Sequence, residues 1–178
     1  LEVLGGPDGD EARAWRWSAD SLLLTMVLST EVRWHDGVVT TAADAAWTLD
    51  AARDPAVGYP RRSDLADFSA VEAADDTTLT IRFARYPGRI PDVLTDLAIL
   101  PAHLLSTTAV EKMRSAAWND RPVGNGPFRF IRHDPNRRWI FAANPDFPPA
   151  LGGRPKIDQL AIAVVDEPTT KLAALATG

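Results

Sequence analysis

Apolar and polar positions change period several times along the chain, and each change marks an element. Leu22-Leu23-Leu24-Thr25-Met26-Val27-Leu28 is an apolar run short enough for a buried strand, predicted within Ser21–Leu28. Ahead of it, Ala14-Trp15-Arg16-Trp17 alternates as a short strand does. The run continues through Ser29-Thr30-Glu31 to Val32-Arg33-Trp34-His35-Asp36-Gly37, where Asp36-Gly37 signals a turn. Thr41-Ala42-Ala43-Asp44 then reads as a helix start, with Thr41 as cap and Asp44 reaching back three residues later. A helix is predicted over Ala42–Arg53, with Trp47 as its main packing group and Ala43 and Ala51 on the same face. Asp54-Pro55 ends it.

Beyond an irregular Val57–Arg62 connection, a short helix is expected around Asp64–Phe68. Phe68–Ala73 and Thr78–Phe83 form two strands about an Asp75-Asp76 turn. In the second, Leu79, Ile81 and Phe83 share one face. Ile90–Leu97 suggests a helix, Leu100–Leu105 a strand end turning into another, and Thr108–Trp118 a polar, moderately helical stretch. Phe128–His133 and Arg137–Ala143 form a second hairpin across Asp134-Pro135-Asn136. A proline-rich loop with Gly152-Gly153 leads to a strand over Ile157–Val165, with Ile157, Leu160, Ile162 and Val164 as its apolar positions. Thr169 or Thr170 caps a closing helix of Lys171–Ala176. Hairpins interspersed with short helices, without repeats, predict an α+β (mixed α/β) fold rather than a run of βαβ units.

The stretch Pro122-Val123-Gly124-Asn125-Gly126-Pro127-Phe128 punctuates this pattern most strongly. Glycine and asparagine tolerate backbone angles that other residues avoid, and Pro127 biases Gly126 towards an extended conformation. A bent loop is expected that exposes its main chain and enters a strand. Such a loop either brings N–H groups to a ligand or is a plain turn.

Length and composition narrow the classes. At 178 residues the chain fits one domain or two small ones, and at 46% hydrophobic and 24% charged it is ordinary globular protein. A net charge of −5 argues against a broad nucleic-acid surface. The absence of cysteine excludes disulfides, thiolate metal sites and cysteine nucleophiles. No apolar run approaches the roughly 20 residues of a membrane span. The chain starts at Leu1 and stops at Gly178 within a helix-like segment, so both ends read as cut.

Catalytic constellations are missing. His35, His103 and His133 lie in three contexts with no second ligand at metal-helix spacing, so no metal and no cofactor are expected. There is no nucleophile elbow, and Gly124-Asn125-Gly126 lacks the residues of a phosphate loop or a dinucleotide fingerprint. His35-Asp36 and Asp75-Asp76 read as turn residues rather than acid–base pairs. The basic, aromatic cluster Arg132-His133…Arg137-Arg138-Trp139 reads as a solvated sheet face, and no nucleic-acid partner is expected.

Taken in order, these segments resemble the extracytoplasmic solute-binding proteins of peptide and nickel ABC importers, family 5. Glu31-Val32-Arg33-Trp34-His35-Asp36-Gly37 is similar to that family's R-x-G-V-x-W-H-D-G signature, and Thr40–Leu49 to the helix after it. Ile99–Leu105 resembles I-x-P-K-H-x-L, and Pro122–Phe130 resembles P-V-G-T-G-P-Y-x-F. Asn144-Pro145-Asp146-Phe147 is similar to N-P-x-Y-W, and Glu167–Leu175 to D-P-T-T-R-L-x-A-L. The departures are Asn125 for threonine, Phe128 for tyrosine, Pro148-Pro149 in place of the tryptophan, and no glycine in Ser29–Val32.

The resemblance implies one lobe of a periplasmic-binding-protein type II fold, with residues 1–178 an incomplete N-terminal lobe ending near the hinge. It implies an extracytoplasmic substrate-binding component, in the periplasm or as a cell-surface lipoprotein, and no enzyme activity. The expected partners are a peptide or related solute, an ABC permease and the missing C-terminal lobe. The ligand-facing candidates are Gly124, Asn125 and Gly126, with Tyr59, Arg61 and Arg62 as a second segment in which Arg61 or Arg62 meets a ligand carboxylate. Trp34-His35-Asp36-Gly37 reads as architecture. The alternative is a ligand-sensing module of a transcriptional regulator or receptor with the same fold.

Overall fold

A computed structural model describes residues 15–29 and 31–164. Two antiparallel sheets and one substantial helix make up the described chain. The first sheet has the order β1-β2-β4-β3, from β1 (Trp15–Trp17), β2 (Leu23–Val27), β3 (Phe68–Ala73) and β4 (Thr78–Phe83). Alternation sets which face is buried. Leu24 and Met26 of β2 and Leu79, Ile81 and Phe83 of β4 all point into the core, while their neighbours face outward. The turn between β3 and β4 is tied by Asp75, whose carboxylate accepts both N–H groups of Thr77 and Thr78 and the Thr77 hydroxyl. The Thr77 bonds lead in holding the Asp75 carboxyl down at about 2. Asp75 is thus a turn tie, as its place in the sequence suggests.

Helix α1 (Ala42–Arg53) covers this sheet. Its start and stop agree with the predicted ones. The buried stripe differs. Ala42, Ala45, Thr48, Leu49 and Ala52 face the core, whereas Ala43 is exposed and Trp47 and Ala51 are only half-buried. Alanine has little bulk, so a helix presenting it to the sheet sits close, and the large indole is left on the flank. Arg53 pins the far end by donating to the Phe68 carbonyl at 2.6 Å.

Between the sheets the chain is made of single turns. The helix expected over Ile90–Leu97 shrinks to α2 (Val93–Asp96), and the next is α3 (Ala102–Leu105). The stretch Thr108–Trp118 forms 3-10 turns at Val110–Ser115 and Ala117–Asn119. Isolated segments this short gain too few hydrogen bonds to repay nucleation, so packing sets their length. Val93, Leu94 and Leu105 supply that packing.

The second sheet has the order β5-β6-β7, from β5 (Phe128–Asp134), β6 (Arg138–Ala143) and β7 (Gln159–Ala163). An irregularity between Phe130 and Arg132 keeps Phe130 opposite Phe141 while placing His133 opposite Trp139, where the two rings stack at 3.7 Å. The last strand is shorter than predicted, and Ile157, Ile162 and Val164 are exposed rather than core. Arg132 and Arg138 both pair with Asp134, so this basic patch is partly neutralised within its own hairpin. The closing helix at Lys171–Ala176, its Thr169 or Thr170 cap and the segment Glu167–Leu175 lie outside the described residues. No described helix is long and apolar enough to cross a membrane.

Candidate functional site

The turn Trp34-His35-Asp36-Gly37 is where distant segments meet. Gly37 takes φ +93°, a conformation that suits glycine, and its N–H returns to the Trp34 carbonyl. Each of the other three residues fastens a different piece of chain. Trp34 is buried and donates from Nε1 to Asp44 Oδ2 at 3.3 Å. Asp36 accepts Val38 N–H at 3.2 Å and lies 2.8 Å from His103 Nε2. Burial works against the Asp36 charge, but the His103 and Val38 bonds outweigh it and hold the carboxyl below its ordinary value. Sequence reasoning placed His35, His103 and His133 apart and missed the His103–Asp36 pair, because 67 residues separate its members.

His35 grips the Gly124-Asn125-Gly126 loop. Its backbone N–H donates to the Gly124 carbonyl at 2.7 Å. Gly124 N–H donates back to the ring at Nδ1, 3.3 Å away, and Nε2 lies 3.0 Å from the Gly126 carbonyl. With Nδ1 accepting, Nε2 must carry the proton, so the bonds define a neutral tautomer. Burial pushes the imidazole below its ordinary value. Arg129 adds to that, while the Gly126 bond and Asp36 oppose it.

Two further ties complete the loop. Asn144 is buried, donates from its amide to the Gly126 carbonyl at 3.2 Å, and takes Arg129 on its own oxygen. Its backbone N–H donates to the Pro127 carbonyl. Asn125 donates to Thr40 Oγ1 at 3.3 Å.

The glycines do not supply the unusual backbone angles expected of them. Neither Gly124 nor Gly126 adopts positive φ. At Gly124 a Cβ would stand 3.4 Å from His35 Cε1, in van der Waals contact with the ring. Gly126 has open space around it. The Gly124 N–H is consumed by His35. Among the described residues, the N–H groups of Asn125 and Gly126 meet no acceptor.

Asn125, Gly126 and Pro127 line a cleft of about 220 Å³, with Thr40, Ile99 and Phe147 among its other walls. None of its lining residues is charged. Tyr59, Arg61 and Arg62 lie elsewhere. Tyr59 packs on the core beneath the first sheet. Arg61 is held by Asp64 at 2.8 Å and Asp96 at 2.6 Å, which together raise its already high pKa, Asp96 foremost. Arg62 is exposed and makes no ion pair among the described residues. Arg61 and Arg62 line two separate depressions, and neither shares a residue with the Asn125 cleft. The two predicted segments are therefore not brought into one pocket. No group of three His, Asp or Glu side chains suited to a metal occurs among the described residues.

Comparison with known proteins gives one consistent result. The profile of the bacterial extracellular solute-binding proteins, family 5 (middle region), matches residues 7–178. A Brucella ovis protein named for peptide binding in an ABC transporter is 34% identical over 171 residues, covering 96% of this chain and 32% of its own length. Di/tripeptide-binding protein 4 of Pseudomonas aeruginosa is 30% identical, covering 94% of this chain and 34% of itself. Among solved structures, NikZ from Campylobacter jejuni in complex with Ni(L-His) is similar at 27% identity and TM-score 0.80. That match covers 95% of this chain and 33% of the other. The chain spans about a third of the length of the curated relatives it matches.

Proposed function

The chain belongs to the bacterial extracellular solute-binding proteins, family 5, and from that membership we propose that it forms most of the N-terminal lobe of an ABC importer's substrate-binding component. Its work is to capture a peptide or related solute outside the cytoplasmic membrane, without chemistry, and to deliver it to a permease. Residues 1–178 end near the hinge, and a C-terminal lobe supplies the opposite wall. Hinge closure of the two lobes encloses the solute.

The observation that carries this reading is the fastened loop. Gly124-Asn125-Gly126 is held by His35 and Asn144, Asn125 and Gly126 line an uncharged cleft, and their N–H groups meet no acceptor among the described residues. A peptide is a row of carbonyls and N–H groups, and preorganised main-chain donors recognise that row whatever its side chains. On this reading the solute meets this loop rather than Arg61, whose guanidinium already has two carboxylates. Arg62 has no such ion pair among the described residues but borders a different depression, so neither arginine is assigned to the solute. The names of the relatives favour a transporter component over the sensing module of a regulator.

Replacing Asn125 with alanine in the full-length protein tests the assignment. Peptide affinity is expected to fall about tenfold, the worth of one well-placed hydrogen bond, with the protein still folded and cooperative on melting. An unaltered dissociation constant would reduce the loop to a structural turn.

A further inference from the structure

We propose that His35 is the positioning residue of the solute-facing loop: its neutral, Nε2-protonated ring clamps Gly124 and Gly126, and protonation of the ring breaks its hold on the Gly124 N–H. The inference rests on the reading of the loop given above and assigns to one side chain the task of holding it in place.

Three of the four ties that His35 and Asn144 make to Gly124 and Gly126 come from His35, one through its backbone and two through its ring. The ring bonds need opposite roles at the two nitrogens. Nδ1 must offer a lone pair to the Gly124 N–H, and Nε2 must donate to the Gly126 carbonyl. An imidazolium carries protons on both nitrogens. It keeps the Gly126 bond but turns a donor towards the Gly124 N–H, where it meets another donor. That bond is replaced by repulsion, and the ring that fits against the Cβ-less face of Gly124 has to move.

The surroundings make this transition available. His35 is half-buried, so charging it costs solvation. The charged groups facing the ring are Arg129 on β5, which opposes the proton, and Asp36 beside it, which favours it. Asp36 is itself engaged by His103 on α3. Asp120 and Arg121 border the same depression as His35. Asn144 stays on the Gly126 carbonyl and the His35 N–H on the Gly124 carbonyl throughout, so protonation frees the Gly124 N–H and loosens that half of the loop while the Gly126 half stays tethered. Asn125, between the two, loses its fixed presentation to the cleft.

The test is nitrogen-15 NMR of the histidine rings and glycine amides in the full-length protein, titrated from pH 7.5 to 5, beside peptide-binding measurements over the same range. At pH 7.5 the His35 ring should show a protonated Nε2 and an accepting Nδ1. The Gly124 and Asn125 amides should move with the midpoint of that ring. Peptide affinity should weaken about tenfold across the range in the wild type and change less than about twofold in His35→Gln, which keeps a donor for Gly126 and does not titrate. The wild-type titration stands even where the variant fails to fold. A ring protonated on Nδ1 at pH 7.5, or loop amides indifferent to ring protonation, would overturn the clamp whatever the peptide does. Amides that follow the ring while Asn125→Ala leaves affinity untouched would sustain the clamp and overturn its solute-facing role.

Discussion

Asp44 shows how much one side chain does in this lobe. Its carboxylate accepts Thr41 N–H at 2.9 Å, Ala102 N–H at 2.9 Å and Trp34 Nε1 at 3.3 Å, all with the residue itself buried. Removing it strands three donors at once. Asp44→Ala is therefore expected to cost about 3 kcal/mol or more, and Asp44→Asn less, because the amide keeps one accepting oxygen. Urea denaturation of both variants checks the order. The helix-start role was visible in the sequence, because Thr41 and Asp44 are three residues apart. The bonds to Trp34 and Ala102 were not, since they depend on where the fold puts residues 10 and 58 positions away. His35 acts at the same scale on stability. The folded ring takes its proton less readily than the unfolded chain, whose value is near the ordinary 6.5. Its contribution is thus complete above about pH 6.5 and declines as pH falls below it, while the unfolded chain binds the extra proton. Denaturation midpoints should fall between pH 7 and 5.5 in the wild type by more than in His35→Gln; equal falls would remove His35 from the account. Asp36, held below its ordinary value, loses its contribution only in more acid solution, outside that window.

At the level of elements, helix α1 and the loop teach opposite lessons. The bounds of α1 were legible because caps and proline are local signals. Its buried face was not, because Trp47 is the largest residue on the helix and size suggested burial, whereas close approach to the sheet selected alanine. Ala45 is fully buried in that contact. Ala45→Leu should push the helix off β3 and β4 and cost about 1–3 kcal/mol, against little effect for the exposed Ala43→Leu. Comparable stabilities for the two variants would contradict the packing described. The loop was recognisable as a break, yet its glycines were expected to supply unusual backbone angles. They do not. Gly124 instead meets a ring that arrives from 89 residues away, a contact with no local trace. The first hairpin was legible from the alternation of Thr78–Phe83 and the second from its Asp134-Pro135-Asn136 turn, although the bulge at Phe130–Arg132 and the exposure of Ile162 depend on neighbours that neither signal reveals.

For the whole molecule, family membership was legible because six short segments fall in a fixed order, each with its own turn or cap chemistry. The separation of Arg61 and Arg62 from the loop was not legible, because nothing local says which depression a surface arginine borders. On the proposed function this chain is one wall of a two-walled site, a loop fastened by His35 and Asn144 that an opposing lobe closes over a solute. Relatives about three times as long are consistent with that division. The most direct measurement is calorimetry of the full-length protein and of residues 1–178, each titrated with the same peptide mixture. The full-length protein is expected to bind, and residues 1–178 at least about a hundredfold more weakly, since half the enclosing surface is gone. Equally tight binding by residues 1–178 alone would contradict the two-lobe account.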